Sequence, residues 1–161
     1  MKASHFSPDI QEFIRLLSIN KVLYVIIGGE AVIYYGYARL TGDVDFFYEL
    51  SSENIKKLYK TLVSFWGGSV PGIKSQKELL KIGTIFQFGR PPNRIDLLNS
   101  INAVTFENAW ATRTKEEIKI KDKKYPVYYI GLEELIKNKK SIKRYKDQED
   151  LKYLNSLKKN K

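Results

Sequence analysis

The sequence of 161 residues contains no cysteine, one histidine and one methionine. Without cysteine there is no disulfide, no zinc–thiolate site and no cysteine nucleophile. A single histidine, His5, near the N-terminus, leaves almost no material for a serine–histidine triad or a multi-histidine metal site. His5 itself is expected to be solvent-exposed. Any metal chemistry must therefore use oxygen ligands, which favour magnesium, manganese or calcium. Long apolar runs are also missing. The longest, Val22 to Ile27, suits a buried strand and falls far short of the roughly 18 residues of a membrane helix. The opening Met1-Lys2-Ala3-Ser4-His5 lacks the apolar core of a signal peptide. A cytoplasmic protein with no membrane partner is the expectation.

What is present is positive charge, unevenly placed. The formal net charge is +10, and Leu135 to Lys161 holds ten basic and three acidic residues. Such a segment can attract a polyphosphate or nucleic acid, or simply be a solvated lysine-rich helical surface. Charge steers a partner without identifying it.

Ser7-Pro8-Asp9 predicts a helix start, with Ile10, Phe13, Ile14 and Leu17 on one face and an end near Asn20. Val22 to Ile27 and Asp43 to Tyr48 read as strands, and Glu30 to Arg39 between them as a helix. Ser52 is expected to cap a helix running to about Trp66. After a turn-rich break come a short helix near Gln76 to Leu80 and two strands, Thr84 to Phe88 and Arg94 to Leu98. Phe106 to Thr112 reads as helix, and Ile118 to Tyr129 as a hairpin around Lys121 to Lys124. Helices over Leu132 to Ser141 and Lys146 to Leu157 close the chain. The expectation is one α/β domain over 1–161, with a mixed sheet and a basic helical segment from about residue 132.

Three acidic positions carry the chemistry. A buried strand ends in Gly28-Gly29, which lets the backbone turn sharply and turns amide groups toward an anion. The pair alone is also what any tight turn uses, and neither the Walker nor the dinucleotide pattern is present. Asp43 and Asp45 lie two apart on a strand, so both point to one side while Val44 and Phe46 pack on the other. Carboxylates so close repel, and a divalent cation resolves that repulsion. The alternative is that Asp43 caps a turn and Asp45 pairs with an arginine. Asp96, alone among Ile95, Leu97 and Leu98, needs a partner as well: a basic side chain or a shared cation. Three converging acids suit two-metal nucleotidyl transfer, with one ion on the triphosphate, the other on the attacking hydroxyl, and Asp96 taking its proton. Arg90 and Asn93, in the proline loop before Asp96, are candidate substrate contacts. Tyr34, Tyr35 and Tyr37, with Trp66 and Trp110, read as packing residues.

The order Gly28-Gly29-x-Ala31, Gly36, Arg39-x-Thr41-x-Asp43-x-Asp45 resembles the nucleotidyltransferase superfamily that includes DNA polymerase beta. It is similar in particular to the bacterial AbiEii-like toxins and related small nucleotidyltransferases. Arg94-Ile95-Asp96-Leu97-Leu98 resembles the strand with that family's third acid. Phe106-Glu107-x-Ala109-Trp110 and Gly131-Leu132-x-x-Leu135-Ile136 recur there, as does a closing pair of helices with Lys139, Arg144, Asp147 and Asp150. The resemblance spans roughly residues 20 to 155. It implies a nucleotidyltransferase fold, a mixed β-sheet flanked by helices with further helices at the C-terminus.

The resemblance also implies roles. Gly28 and Gly29 match the phosphate-binding turn, Asp43, Asp45 and Asp96 the metal-binding acids, and Lys139 a lysine on the nucleotide phosphates. Arg39 and Thr41 match positions that orient the acid-bearing loop. Arg39 either touches phosphate or packs on an acidic neighbour. Asp147 and Asp150 match acids of the last helix, where capping is an equal reading. Gly29 stands where many members have serine, which loses a hydroxyl and keeps backbone donors. The implied activity is magnesium- or manganese-dependent transfer of a nucleoside monophosphate from an NTP to a tRNA end or a protein hydroxyl. A toxin–antitoxin or phage-defence role is the implied biology. The chain is short for a large acceptor-binding domain, so an antitoxin-like partner protein or the basic tail would supply that surface. Two other readings stand beside it: transfer to a small molecule such as an aminoglycoside-type antibiotic, and a non-catalytic nucleic-acid-binding module of the same fold.

Overall fold

The computed structural model describes residues 6–159; His5 lies outside them. The structure is a six-stranded mixed sheet flanked by helices, the architecture of a nucleotidyltransferase-like fold. The strands are β1 (Tyr24–Ile27), β2 (Asp43–Tyr48), β3 (Ile85–Phe88), β4 (Arg94–Leu98), β5 (Thr114–Ile120) and β6 (Lys123–Tyr129), in the spatial order β3-β4-β2-β1-β6-β5. The helices are α1 (Pro8–Ile19), α2 (Gly28–Tyr34), α3 (Ser52–Trp66), α4 (Phe106–Ala111), α5 (Leu132–Ser141) and α6 (Tyr145–Lys159). A 3-10 turn over Gln76–Leu80 carries the Ser75/Glu78 capping box. No helix among the described residues is long and apolar enough to cross a membrane.

The apolar residues sort onto two faces. Ile10, Phe13, Ile14 and Leu17 of α1 are buried, as their spacing requires, and α1 packs beside α3. Phe13 meets Phe46 of β2 and Phe65 of α3, both at 5.2 Å between ring centroids and nearly perpendicular. Each such side chain contributes about 1.5–3 kcal/mol by leaving water. Strand β2 alternates: Val44 and Phe46 face these helices, while Asp43, Asp45 and Phe47 face the other side, where Phe47 meets Phe106 of α4. The caps are local. Ser7 Oγ accepts from the Ile10 amide, and Ser51, one residue before the expected Ser52, accepts from the Asn54 amide.

Two element boundaries depart from the periodicity. Helix α2 begins at Gly28 and stops at Tyr34, five residues short of Arg39, because Gly36 turns at φ +108° and the chain runs irregularly to Thr41. The hairpin strands are longer than Ile118–Ile120 and Val127–Tyr129. They pair from Thr114↔Tyr129 to Ile120↔Lys123, leaving a two-residue turn with Lys121 at φ +57°.

Candidate active site

Sheet register builds the site. β2 and β4 run parallel with Asp43↔Arg94 and Asp45↔Asp96 as partners, so Asp45 and Asp96 lie side by side on one face and Asp43 lies one pleat away. One carboxylate oxygen from each of the three lies within 4.8 Å of the others. The acids that the sequence singled out are thus together. Thr41 Oγ1 reaches the Asp43 carboxylate and its carbonyl, each at 3.3 Å, and so ties the preceding loop to the first acid.

The glycines make room for the acids. Gly28 sits at φ +67°, and a Cβ there would overlap Oδ2 of Asp45. A Cβ on Gly29 would lie 2.7 Å from Thr41 Oγ1 and 3.0 Å from Arg39 Nη2. Both positions press backbone against the acid-bearing loop, and a cavity of about 220 Å³ opens beside Gly28 and Asp45. Ser100, Asn102, Asn138, Lys139 and Arg144 supply its polar lining.

Arg94 is the residue that pattern reading left without a role. Its Nη2 donates to Asp43 Oδ2 at 2.6 Å, and its Nε and Nη2 donate to Asp96 at 2.9 and 3.1 Å. Two residues apart on a strand, Arg94 and Asp96 had to share a face, and that spacing is the signal that could have found the contact. The guanidinium pairs with two of the three carboxylates, offsets one negative charge, and is itself 29% exposed. Gln87 of β3 adds an amide donor to Asp96 Oδ2 at 3.3 Å.

Asp45 has no such guanidinium, and only the Lys139 charge pulls against its burial. Its Oδ1 is buried and has no hydrogen-bond partner. Burial, with Asp43 and Asp96 adding their repulsion, pushes its carboxyl up to about 7. Asp96 is also raised, by burial first, although Arg94 pulls it back. An orphaned carboxylate oxygen facing two more carboxylates is what a hard divalent cation would satisfy, so these residues fit such an ion.

The basic residues gather around two buried acids, Asp147 and Asp150, in a second cluster whose outer member, Arg144, is largely exposed. Lys139 is 4% exposed, and its Nζ donates to Asp147 Oδ1 at 2.7 Å and contacts Asp150 Oδ2 at 3.1 Å. Arg39 grips Asp150 through Nε at 2.9 Å and Nη2 at 3.0 Å. Arg144 closes on Asp147 Oδ2 at 2.6 Å. Burial draws the Asp147 carboxyl upward, but Arg144 and Lys139 together overcome it and hold it below the ordinary value. Arg39 and Lys139 are therefore ion-paired in this structure, while Lys139 still borders the cavity beside Asp45. Arg90 and Asn93 lie elsewhere, on a concavity of the opposite sheet face.

Three clustered acids on adjacent strands, behind a glycine turn, are the arrangement on which the family match falls. The chain belongs to a nucleotidyltransferase family. The family model matching residues 8–158 is described as "Nucleotidyltransferase of unknown function (DUF6036)". No curated protein matches the chain. The match runs from α1 to α6, so the ion cluster around Asp147 and Asp150 and the three acids lie within the family region.

Proposed function

We propose that the chain moves a nucleoside monophosphate from an NTP to an acceptor hydroxyl and releases pyrophosphate. The observation that carries this reading is the convergence of Asp43, Asp45 and Asp96 beside a cation-lined cavity, in a chain of a nucleotidyltransferase family. The three acids would hold magnesium or manganese, which supplies charge neutralisation for the triphosphate and lowers the pKa of the attacking hydroxyl. Arg94 keeps Asp43 and Asp96 aimed at the site, and Gly28 lets Asp45 sit against the turn. Lys139 and Arg144 present positive charge to a triphosphate lying in the cavity, backed by Asp147. The acceptor oxygen bonds to the α-phosphorus as the bond to pyrophosphate breaks. The leaving group takes that electron pair, and the hydroxyl proton passes to Asp96.

The surplus of positive charge supports an RNA acceptor, such as a tRNA end, over a polycationic antibiotic. The resemblance to AbiEii-like toxins supports growth arrest as the biological outcome. Incubation with α-labelled NTPs, magnesium and total RNA tests the reaction. Label should enter RNA, and Asp43→Asn or Asp45→Asn should lower the rate by at least about a thousandfold, as expected when ligands of a catalytic cation are lost. Transfer that survives both substitutions would defeat the proposal.

A further inference from the structure

Behind β4, on the face away from Asp96, lies a second concavity of about 360 Å³. Its walls are Phe65 and Trp66 at the end of α3 and Phe88 at the end of β3. Its polar rim is Asp9 from α1 and Arg90 and Asn93 from the turn between β3 and β4. The rings are fixed by one another. Phe65 stands edge-on to Phe13 and to Trp66, and Trp66 lies 6.0 Å from Phe88. Trp66 nevertheless remains 37% exposed. The rim is chemically idle: among the described residues, the side chains of Asp9, Arg90 and Asn93 have no hydrogen-bond or ion-pair partner. Only the backbone of the turn is closed, by the Asn93 amide on the Arg90 carbonyl at 2.9 Å.

This combination selects a ligand class. An aliphatic ligand leaves three polar side chains unused, and a free phosphate leaves three rings unused. A peptide can bring a phenyl ring and a carboxylate, but the ring edge offers Asp9 and Asn93 no donors or acceptors. A nucleobase in a strand uses everything: a π face for the rings, edge donors and acceptors for Asp9 and Asn93, and a phosphate for Arg90. The volume suits a base, and the net charge of +10 favours a polyanion.

The concavity also touches the strand that carries the third acid. Ile95 lines it, while the flanking Arg94 and Asp96 face the acids. The turn that carries Arg90 and Asn93 packs through Pro91 onto Gly42, the residue before Asp43; a Cβ on Gly42 would lie 2.9 Å from Pro91 Cβ. The two hollows share no lining residue: Ile95 of β4 lines this one, and Leu98 at the other end of the same strand lines the one beside Asp45. We infer that the Phe65–Trp66–Phe88 concavity binds a nucleobase of single-stranded RNA, holding the acceptor a short distance from its reacting end. Its place in the reaction rests on the transferase reading above; the base binding itself does not.

The test is anisotropy of a labelled 12-nucleotide single-stranded RNA with the full chain, in EDTA and without NTP. The wild type binds. Trp66→Ala weakens binding about tenfold, and an abasic strand of the same length binds the wild type about as poorly. Arg90→Gln weakens binding several-fold and lowers the log–log salt slope by about one. Lys124→Gln, on the far hairpin, has a smaller effect. Arg90→Gln and Asn93→Ala alter an exposed turn and keep the reading open should Trp66→Ala fail to fold. The inference is overturned by a wild type that ignores the RNA, by equal affinity for the abasic strand, or by Lys124→Gln matching Arg90→Gln. The transferase reading fails separately: Asp43→Asn leaves RNA binding intact, so RNA bound without acid-dependent transfer sinks that reading alone. Acid-dependent transfer to another acceptor, without RNA binding, sinks this one alone.

Discussion

Asp45 concentrates the electrostatic cost of the site in one side chain. Its carboxyl stands near 7 in the folded chain, against 3.8 for an ordinary aspartate, so the folded state holds that proton more tightly than the unfolded state does. The stability gained from the protonated form is whole below about pH 4 and is lost as pH rises through about 7. In EDTA, the thermal midpoint of the wild type should therefore fall between pH 4 and 8 relative to Asp45→Asn. At pH 8 the variant should be the more stable by on the order of 1–2 kcal/mol. Magnesium should raise the wild-type midpoint at pH 8 and leave the variant unmoved; a parallel pH course for the two proteins would refute the assignment. Gly28→Ala acts on the same atom from the other side. Strain at positive φ should cost more than about 1 kcal/mol in a urea titration, and the displaced carboxylate should take label transfer with it. At this scale the sequence was informative where spacing alone sets direction, as for Asp43 and Asp45. It was silent on Gly28 against Asp45, because that contact joins two elements whose approach only the fold decides.

Elements with a complete local signal were legible: α1 and α3 carry cap, apolar stripe and stop in one stretch, and Gly67 ends α3 at φ +70°. Helix α2 is shorter than its periodicity, because Tyr37 and Arg39 continue a helical spacing that the backbone abandons after Tyr34. Tyr37 stacks on Tyr153 of α6 at 4.8 Å instead, and Arg39 turns to Asp150. Both contacts cross more than a hundred residues, beyond any periodicity. They make α6 a fastener for the acid-bearing loop, with Lys139 of α5 at its centre. Removing the ammonium while leaving Asp147 and Asp150 buried should be expensive. Lys139→Met is expected to lose about 3–5 kcal/mol in equilibrium unfolding. Asp147 adds a pH dependence of the opposite sign to that of Asp45. Its lowered carboxyl lends stability above the ordinary aspartate range, and that is lost as pH falls through its folded value. The acid limb of the unfolding curve should therefore flatten in Asp147→Asn.

Across the whole molecule the sheet has two unlike borders. β5 is guarded by Lys115, Glu116, Glu117 and Lys119, whereas Ile82 to Gly89, which includes β3, has no charge, with Ile82 75% and Ile85 54% exposed. Heating should expose this unguarded border to other chains first. Ile85→Lys is expected to delay light scattering by several degrees while leaving the midpoint of unfolding by circular dichroism within about 1 °C, since surface changes seldom exceed about 0.5 kcal/mol. Neither border could be located from sequence, because alternation marks a strand without naming its neighbours. The parallel seam between β2 and β4 has a further consequence. Asp45 finds Asp96 only after the intervening fifty residues have been looped back. A nascent chain halted before Arg94 would carry two of the three clustered acids, so the cluster comes into being only when β4 has been made and has paired with β2.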